Sequence, residues 1–341
     1  MNSSKYEPAM RRALELALQG PAHGVNPQVG AVILDQDLQI IAEGWHLGSG
    51  TDHAEVMALK NLTEKFGPSV PNGLTAVVTL EPCNHTGKTG PCAQALIAAG
   101  MSRVVYASSD PGNVSGNGAV TLREAGIEVL AGVLESDADF QSRVWLTSNR
   151  EQRPFVTLKW AASLDGRNAA ADGSSKWISS EASRAHAHLN RSSLDAIAVG
   201  TGTVLADDPE LAARNPQGGY FQSQPLRVII GERELPENLR IFNDSAKTLH
   251  LKTRNLEEVL STLWDRDIKH LMVEGGPSLA SEFERLNLVD EYQIYLAPML
   301  LGGPRTVLGD IGVTDISKSH NLEILETQNL GSDIFIRARR A

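Results

Sequence analysis

The chain has 341 residues, 41% of them hydrophobic and 21% charged, a balance that fits about two globular domains and excludes wholesale disorder or a collagen-type repeat. Its 31 Lys and Arg against 41 Asp and Glu leave a formal charge of −10, which disfavours nonspecific nucleic-acid binding. No apolar run approaches the roughly 20 residues of a membrane-spanning helix, and the opening MNSSKYEPAMRRALELALQG carries Glu and Arg where a signal peptide would be apolar.

Apolar residues at Ala9, Met10, Ala13, Leu14, Ala17 and Leu18 predict a helix over Tyr6–Leu18. Asn26-Pro27 breaks that pattern. Val29–Leu34 then reads as a buried strand, paired with Ile40–Gly44 across a turn at Asp35–Asp37. A helix over His53–Lys60 precedes a strand at Leu74–Leu80 and a helix at Ala93–Ala99 stopped by Gly100. Next come a strand at Arg103–Ala107, a helix at Ala119–Ala125 and a strand at Ile127–Leu130. From Gly132 to Asn149 the sequence reads as one helix. The polar run Asn149–Arg153, stopped by Pro154, is the candidate linker, so domains are expected over residues 1–149 and 150–341.

The second half opens with a strand at Phe155–Ala161 and a helix near Ser180–Asn190, followed by strands at Ala196–Val199 and Leu226–Ile230. A helix at Leu256–Trp264, a strand at His270–Val273, a helix at Ser278–Leu286 and a strand at Glu291–Leu296 complete it. Strands alternating with helices predict an α/β fold in both halves, with mostly parallel sheets covered on both faces.

Cys83 and Cys92 are the only cysteines. They are too few for a disulfide framework, and a cytosolic setting would keep them reduced. His53-Ala54-Glu55 opens a predicted helix, Glu81-Pro82-Cys83 follows a strand, and Cys92 opens the next helix after Pro91. One imidazole and two thiolates are the three ligands of a catalytic zinc that keeps its fourth position for water. The positive end of a helix beside Cys92 favours the thiolate. Glu55, two residues after the His, is placed to take a proton from that water and hand it to a departing amine. Zinc nucleobase deaminases use this set with a Cys-x-x-Cys spacing, which is longer here. Each residue alone is more simply a buried thiol or an ordinary helix histidine, and the joint pattern is what argues for the metal. A structural zinc with His85 as a fourth ligand stays open, as does a nucleic-acid deaminase of the same fold.

The second half has no G-x-G-x-x-G after a strand, so a standard dinucleotide fold has no support. It does have Glu274-Gly275-Gly276-Pro277-Ser278 between a strand and a helix, which offers close backbone approach and free N–H groups to a phosphate. Taken alone, such a segment is more often just a turn.

Longer strings are more specific. NPQVGAVI from Asn26, HAEVMAL from His53, TLEPCNHTGKTGPC ending at Cys92 and DPGNVSGNG from Asp110 resemble the deaminase half of the bifunctional riboflavin-biosynthesis deaminase/reductase family, RibD. PFVTLKWAASLDGR from Pro154, SKWISS from Ser175, DAIAVGTGTVLADDPEL from Asp195 with Arg214, and VEGGPSLA from Val273 resemble its reductase half. The resemblance implies a cytidine-deaminase-like α/β/α domain followed by a dihydrofolate-reductase-like α/β domain. It also implies zinc and NADPH as cofactors, and a small phosphoribosylaminopyrimidine that is first deaminated and then reduced from ribosyl to ribityl. Residue by residue, it implies His53, Cys83 and Cys92 on the metal and Glu55 as the proton shuttle. Asn26, His46, His85, Lys88 and Asp110 would hold the first substrate. Ala161, Trp177, Thr203, Asp207 and the turn Gly276, Pro277, Ser278, Leu279, Ala280, Ser281 and Glu282 would contact NADPH. Lys159, Ser175, Arg191, Leu211, Arg214 and Glu274 would contact the sugar phosphate. Among these, Lys159 and Glu274 would act on the ribose, a plain structural ion pair being the alternative. A cytoplasmic homo-oligomer, dimer or tetramer, is implied as well, with neither nucleic acid nor membrane as partner.

The chain departs from the family pattern at four places. Met57 stands for a common His, and Asn84 for a common Ser. The loop Asp110-Pro111-Gly112-Asn113 is one residue shorter than usual and lacks an Asn at Gly112, and Gly231 stands for an Asp.

Overall fold

The N-terminal apolar stripe forms α1 (Glu7–Ala17), with Pro8 in its first turn, where the missing N–H has no helical partner to lose. Then follow β1 (Gly30–Leu34), β2 (Ile40–Trp45), α2 (Ala54–Phe66), β3 (Thr75–Leu80), α3 (Cys92–Ala98), β4 (Arg103–Ser108), α4 (Gly118–Glu124) and β5 (Glu128–Leu130). The segment expected as one helix is two, α5 (Glu135–Gln141) and α6 (Arg143–Glu151), parted at Ser142. The reason lies in the packing: Ala138 joins the apolar cluster on one face of the sheet and Leu146 the cluster on the other, and one straight helix cannot serve both. The computed structural model describes residues 3–67, 69–85, 90–112, 115–176 and 178–341; Lys88, Asn113 and Trp177 lie outside the described residues.

The first sheet has the order β2-β1-β3-β4-β5. β1 is antiparallel to both of its neighbours, and β3, β4 and β5 run parallel, so this sheet is mixed rather than mostly parallel. Every residue of β1 and β3 is buried, because both faces are covered. Ile33, Val78 and Val104 pack with α2 and α3, while Val32, Val77 and Val105 pack with α1 and α5. Each such side chain contributes about 1.5–3 kcal/mol by leaving water. That covering brings the starts of α2 and α3 against the turn that follows β3.

The same turn is held from the other side at Gly118, where a Cβ would lie 1.8 Å from the Pro82 carbonyl oxygen. Gly118→Ala should therefore push the Pro82–Cys83 turn away at a cost of about 1–3 kcal/mol. The expected readout is a lower melting temperature together with less bound zinc. An unchanged zinc content would show that this contact does not hold the turn.

The second unit, Arg153–Ala341, begins where residues up to Gln152 end as the first. It comprises β6 (Phe155–Ser163), α7 (Glu181–Arg191), β7 (Ala196–Gly200), α8 (Thr201–Asp207), β8 (Leu226–Ile230), β9 (Thr248–Leu251), α9 (Leu256–Trp264), β10 (His270–Val273), α10 (Pro277–Arg285), β11 (Glu291–Ala297), β12 (Leu322–Leu330) and β13 (Asp333–Arg340). The sheet order is β12-β13-β11-β6-β10-β7-β8-β9. It is parallel from β11 to β9, and β13 is antiparallel to β11 and β12. Short α8 and β9 and the terminal hairpin β12–β13 are additions to the expected elements. Val156, Leu158, Ala198, Val228 and Val273 pack beneath α9 and α10, and Ile197, Val199 and Ile229 fill the opposite face. Among the described residues, no helix is long and apolar enough to cross a membrane.

Candidate active sites

His53 caps α2 in an extended backbone conformation, Cys92 is the first residue of α3, and Cys83 lies just after β3. Helix starts leave N–H groups without intrahelical acceptors, and the Cys92 N–H donates to Cys83 Sγ at 3.5 Å. His53 Nδ1 stands 3.2 Å from Cys92 Sγ and 3.5 Å from Cys83 Sγ, and the three donor atoms lie within 4.8 Å of one another. Among the described residues no fourth His, Cys, Asp or Glu joins this group, so His85 stands outside it. One nitrogen and two sulfurs around one point are a zinc donor set. The sulfurs also lose their first proton easily: hydrogen bonds from Cys92 and His53 bring Cys83 down to about 4. That thiolate then holds the second proton on Cys92, above the ordinary thiol range. A divalent cation between them lets both ionise, so the residues present fit the metal.

Glu55 follows in the first turn of α2, only 5% exposed, and burial pushes its carboxyl above the usual carboxylate range. With His53 and Cys83 it lines a cavity of about 300 Å³ whose walls also carry Asn26, His46, His85 and Asp110. His46 Nδ1 donates to the Asp52 carbonyl at 2.9 Å, which leaves Nε2 to accept from the Asn26 amide at 2.8 Å. That pairing assigns one neutral tautomer, and burial lowers the His46 pKa in the same direction. His85 Nδ1 is buried without a hydrogen-bond partner among the described residues, as a ligand-binding atom would be.

Two further residues build this cavity without having been expected there. Glu81 accepts from the Ala119 N–H at 3.0 Å and the Asp110 N–H at 3.4 Å, fixing the start of α4 and the Asp110 loop together. Its signal was an acidic residue directly after a strand, inside the TLEPC string. Trp145 of α6 lines the wall and donates its indole N–H to the Val25 carbonyl at 3.1 Å, and nothing local in the sequence marks it. The Gly112 departure also has a physical counterpart: a Cβ there would meet Ser115 Oγ at 2.0 Å, so a cavity-lining serine occupies the space of the missing side chain.

In the second unit, β6 and β10 are parallel neighbours in the middle of the sheet, with Val273 opposite Leu158, which brings the Glu274 turn level with Lys159. Lys159 Nζ donates to Glu274 Oε2 at 3.2 Å. Arg191, the last residue of α7, forks onto the same carboxylate, with Nε to Oε1 at 2.9 Å and Nη2 to Oε2 at 2.7 Å. Burial alone would push Glu274 up; Arg191 and Lys159 reverse this and hold it well below the usual carboxylate range. Arg214 stands apart from this trio, paired with Glu210, which also accepts from Tyr220 at 2.5 Å, Arg240 at 2.9 Å and Asn243 at 3.1 Å. Burial raises Glu210, but Tyr220, Asn243, Arg214 and Arg240 outweigh it and bring the carboxyl to about 2. The Leu211 side chain packs into the core with Ile197 and Ile229, so only its backbone is left for a ligand.

A larger cavity, about 900 Å³, runs along the ends of β7 and β8 and the starts of α8 and α10. Ser175, Thr203, Asp207, Gly276, Pro277, Ser278, Leu279 and Glu282 line it. Thr203 Oγ1 accepts the Gly276 N–H at 3.0 Å and ties the two helix starts together. Ala280 and Ser281 do not face it. The 3.6-residue period turns Ala280 into the core, and Ser281 Oγ accepts from the Gly309 N–H at 2.7 Å. Ala161 likewise packs against the Tyr295 and Phe335 cluster instead of the cavity. At Gly231, with φ 129°, a Cβ would come within 2.8 Å of Thr201 Oγ1, so the backbone is left bare where the family has Asp. Arg233, Arg254 and Arg305 line the cavity against Asp207 and Glu282, which suits an anionic dinucleotide such as NADPH.

Residues 3–108 match the family model described as the cytidine and deoxycytidylate deaminase zinc-binding region, and residues 154–336 match the RibD C-terminal domain. The chain is 46% identical over 311 residues to the riboflavin biosynthesis protein RibD of Mycobacterium tuberculosis, covering 91% of this chain and 90% of that one. It is 37% identical over 364 residues to the RibD of Escherichia coli, covering 95% and 96%. A solved Thermotoga maritima diaminohydroxyphosphoribosylaminopyrimidine deaminase/5-amino-6-(5-phosphoribosylamino)uracil reductase superposes with a TM-score of 0.87 at 34% identity, covering all of both chains.

Proposed function

This chain belongs to the RibD family, the bifunctional deaminase/reductases of riboflavin biosynthesis, and from that premise we propose how its residues divide the two reactions. Residues 1–149 deaminate the phosphoribosylaminopyrimidine, and residues 150–341 reduce the product. His53, Cys83 and Cys92 hold zinc, which when bound supplies Lewis-acid activation of a water. Glu55 takes a proton from that water and passes it to the exocyclic amine. The water's other proton goes to the ring nitrogen beside the attacked carbon, its oxygen becomes the ring carbonyl, the carbon–nitrogen bond breaks and ammonia leaves. Asn26, His46, His85, Lys88 and Asp110 hold the substrate while this happens.

In the second reaction NADPH supplies the hydride when bound. The Lys159 ammonium holds the proton that the ribose ring oxygen needs as the carbon–oxygen bond opens, and Glu274 keeps that ammonium charged and in place. Ser175 and Arg214 take the sugar phosphate. A homo-oligomer in the cytoplasm belongs to the same reading.

The observation that carries the proposal is the meeting of His53, Cys83 and Cys92, from three separate segments, beside a cavity that Glu55 also lines. The test is metal removal. Dialysis against a zinc chelator should abolish ammonia release, and added Zn²⁺ should restore it. NADPH oxidation on the already deaminated substrate should continue throughout. Loss of both activities together, or of neither, would overturn this division of labour.

A further inference from the structure

Asp165 lies inside the string that resembles the family's reductase half, yet none of the roles drawn from that resemblance falls to it. β6 ends at Ser163, and Asp165 stands in the turn just beyond. Its Oδ1 accepts from Ser163 Oγ at 2.5 Å and from the Leu301 N–H at 3.1 Å, and its Oδ2 accepts from the Gly302 N–H at 2.6 Å. Two successive backbone N–H groups thus converge on one carboxylate, an arrangement by which loops hold an anion. Ser163, Gly302 and Leu301 together bring the carboxyl down to about 2, so it is ionised at every working pH. Arg167 Nε stands 4.0 Å away, so these donors rather than an ion pair are its main partners.

Neutral rungs run along the same two segments. The Leu164 N–H donates to the Met299 carbonyl at 2.9 Å, the Asn168 N–H to the Arg305 carbonyl at 3.1 Å and the Val307 N–H to the Gly166 carbonyl at 3.3 Å. Asn168 and Ala169 from the first segment and Pro304, Arg305 and Thr306 from the second line the large cavity, whereas Asp165 itself does not. Bonds to an ionised acceptor are roughly twice as strong as neutral ones, so Asp165 is the firmest tie between the two segments. We infer that Asp165 is a positioning residue of the reducing site: by gripping Leu301 and Gly302 it docks the loop after β11 onto the turn after β6 and so sets one wall of the cofactor cavity. This rests on the reading of that cavity as the NADPH site. Without the carboxylate the loop is docked for only part of the time, and the apparent affinity for NADPH falls by the docked fraction. Once NADPH is bound the wall is in place, so the hydride step is little changed. Lys159 and Glu274 are held by each other and by Arg191, not by this loop.

The test uses the full chain with Asp165→Ala and with Asp165→Asn, whose isosteric amide accepts from one of the two N–H groups but turns a donor toward the other. NADPH binding is measured by fluorescence titration, hydrogen exchange is followed at Leu301 and Gly302, and the rate of reduction is recorded against NADPH. Asp165→Ala should weaken NADPH binding and raise its KM by about 10- to 100-fold, the factor that one or two charge-assisted hydrogen bonds set on the docked fraction. Asp165→Asn should fall between that variant and the parent. In both, kcat at saturating NADPH should stay within about threefold of the parent's. The Leu301 and Gly302 amides should exchange faster in the free variants and regain protection when NADPH is added. Ammonia release by the other unit, unchanged, reports an intact protein. If Asp165→Ala does not fold, Asp165→Asn carries the same comparison. NADPH affinity within about twofold of the parent's in the folded variant would overturn the inference and leave Asp165 a purely structural tie. A fall in kcat at unchanged NADPH affinity would overturn it as well. A parent protein that binds no NADPH would instead sink the reading of the cavity, and the inference with it.

Discussion

Glu55→Gln should lower ammonia release by a factor of about 10² to 10⁴, the range lost when a positioned proton-transfer group is removed. The substitution is nearly isosteric, and it exchanges an acid for an amide that can neither take nor give the proton. Two features make the effect specific. Glu55 stands outside the group of atoms poised for the metal, so zinc content should stay at the parent's value. Its carboxyl is buried and held above the usual carboxylate range, so replacing it by a neutral amide leaves no unpaired charge behind and the fold should be kept. The measurement is kcat for ammonia release, with bound zinc and melting temperature recorded on the same sample. Reduction of the deaminated substrate should run at the parent's rate. Full ammonia release from a zinc-loaded Glu55→Gln protein would remove Glu55 from the reaction.

The metal centre could be read from the chain because zinc chemistry leaves little choice of residue and because helix starts and strand ends announce where such residues point. His53 and Cys92 each open a helix and Cys83 follows a strand, and those three positions meet. Lys159 and Glu274 came instead from the resemblance to the family, and the parallel pairing of β6 with β10 is what brings them together. What the chain did not reveal is what depends on contacts between distant segments. Nothing near Arg191 in sequence says that its fork is already engaged by a carboxylate 83 residues away. Nothing near Trp145 says that it walls the first cavity. Ala280 and Ser281 lie inside a string that reads as a ligand-binding turn, but once α10 has begun, the helical period decides which of its residues can see the cavity. The hairpin β12–β13 was missed for a related reason: most of β12 is exposed and polar, so no buried alternation marks it as a strand.

Lys159→Met should depress NADPH oxidation by about 10² to 10⁴ and leave ammonia release untouched, because it removes the ammonium assigned to protonate the opening sugar. The fold should tolerate it for a reason visible in the trio itself. Without Lys159, the buried Glu274 carboxylate still has the Arg191 fork on both of its oxygens, so no buried charge is orphaned. Glu274→Gln is the informative contrast. It removes the one anion between two cations whose side chains are 16% and 14% exposed, and losing one partner of a buried ion pair typically costs about 3–5 kcal/mol. Both variants should therefore lose reduction, but the melting temperature of the second unit should fall much further in Glu274→Gln than in Lys159→Met. Affinity for NADPH, measured by fluorescence titration, should stay near the parent's in Lys159→Met, because Lys159 does not line the large cavity. If Lys159→Met still reduced substrate at the parent's rate, the trio would be only a structural ion pair, and the proton for ring opening would have to come from another group.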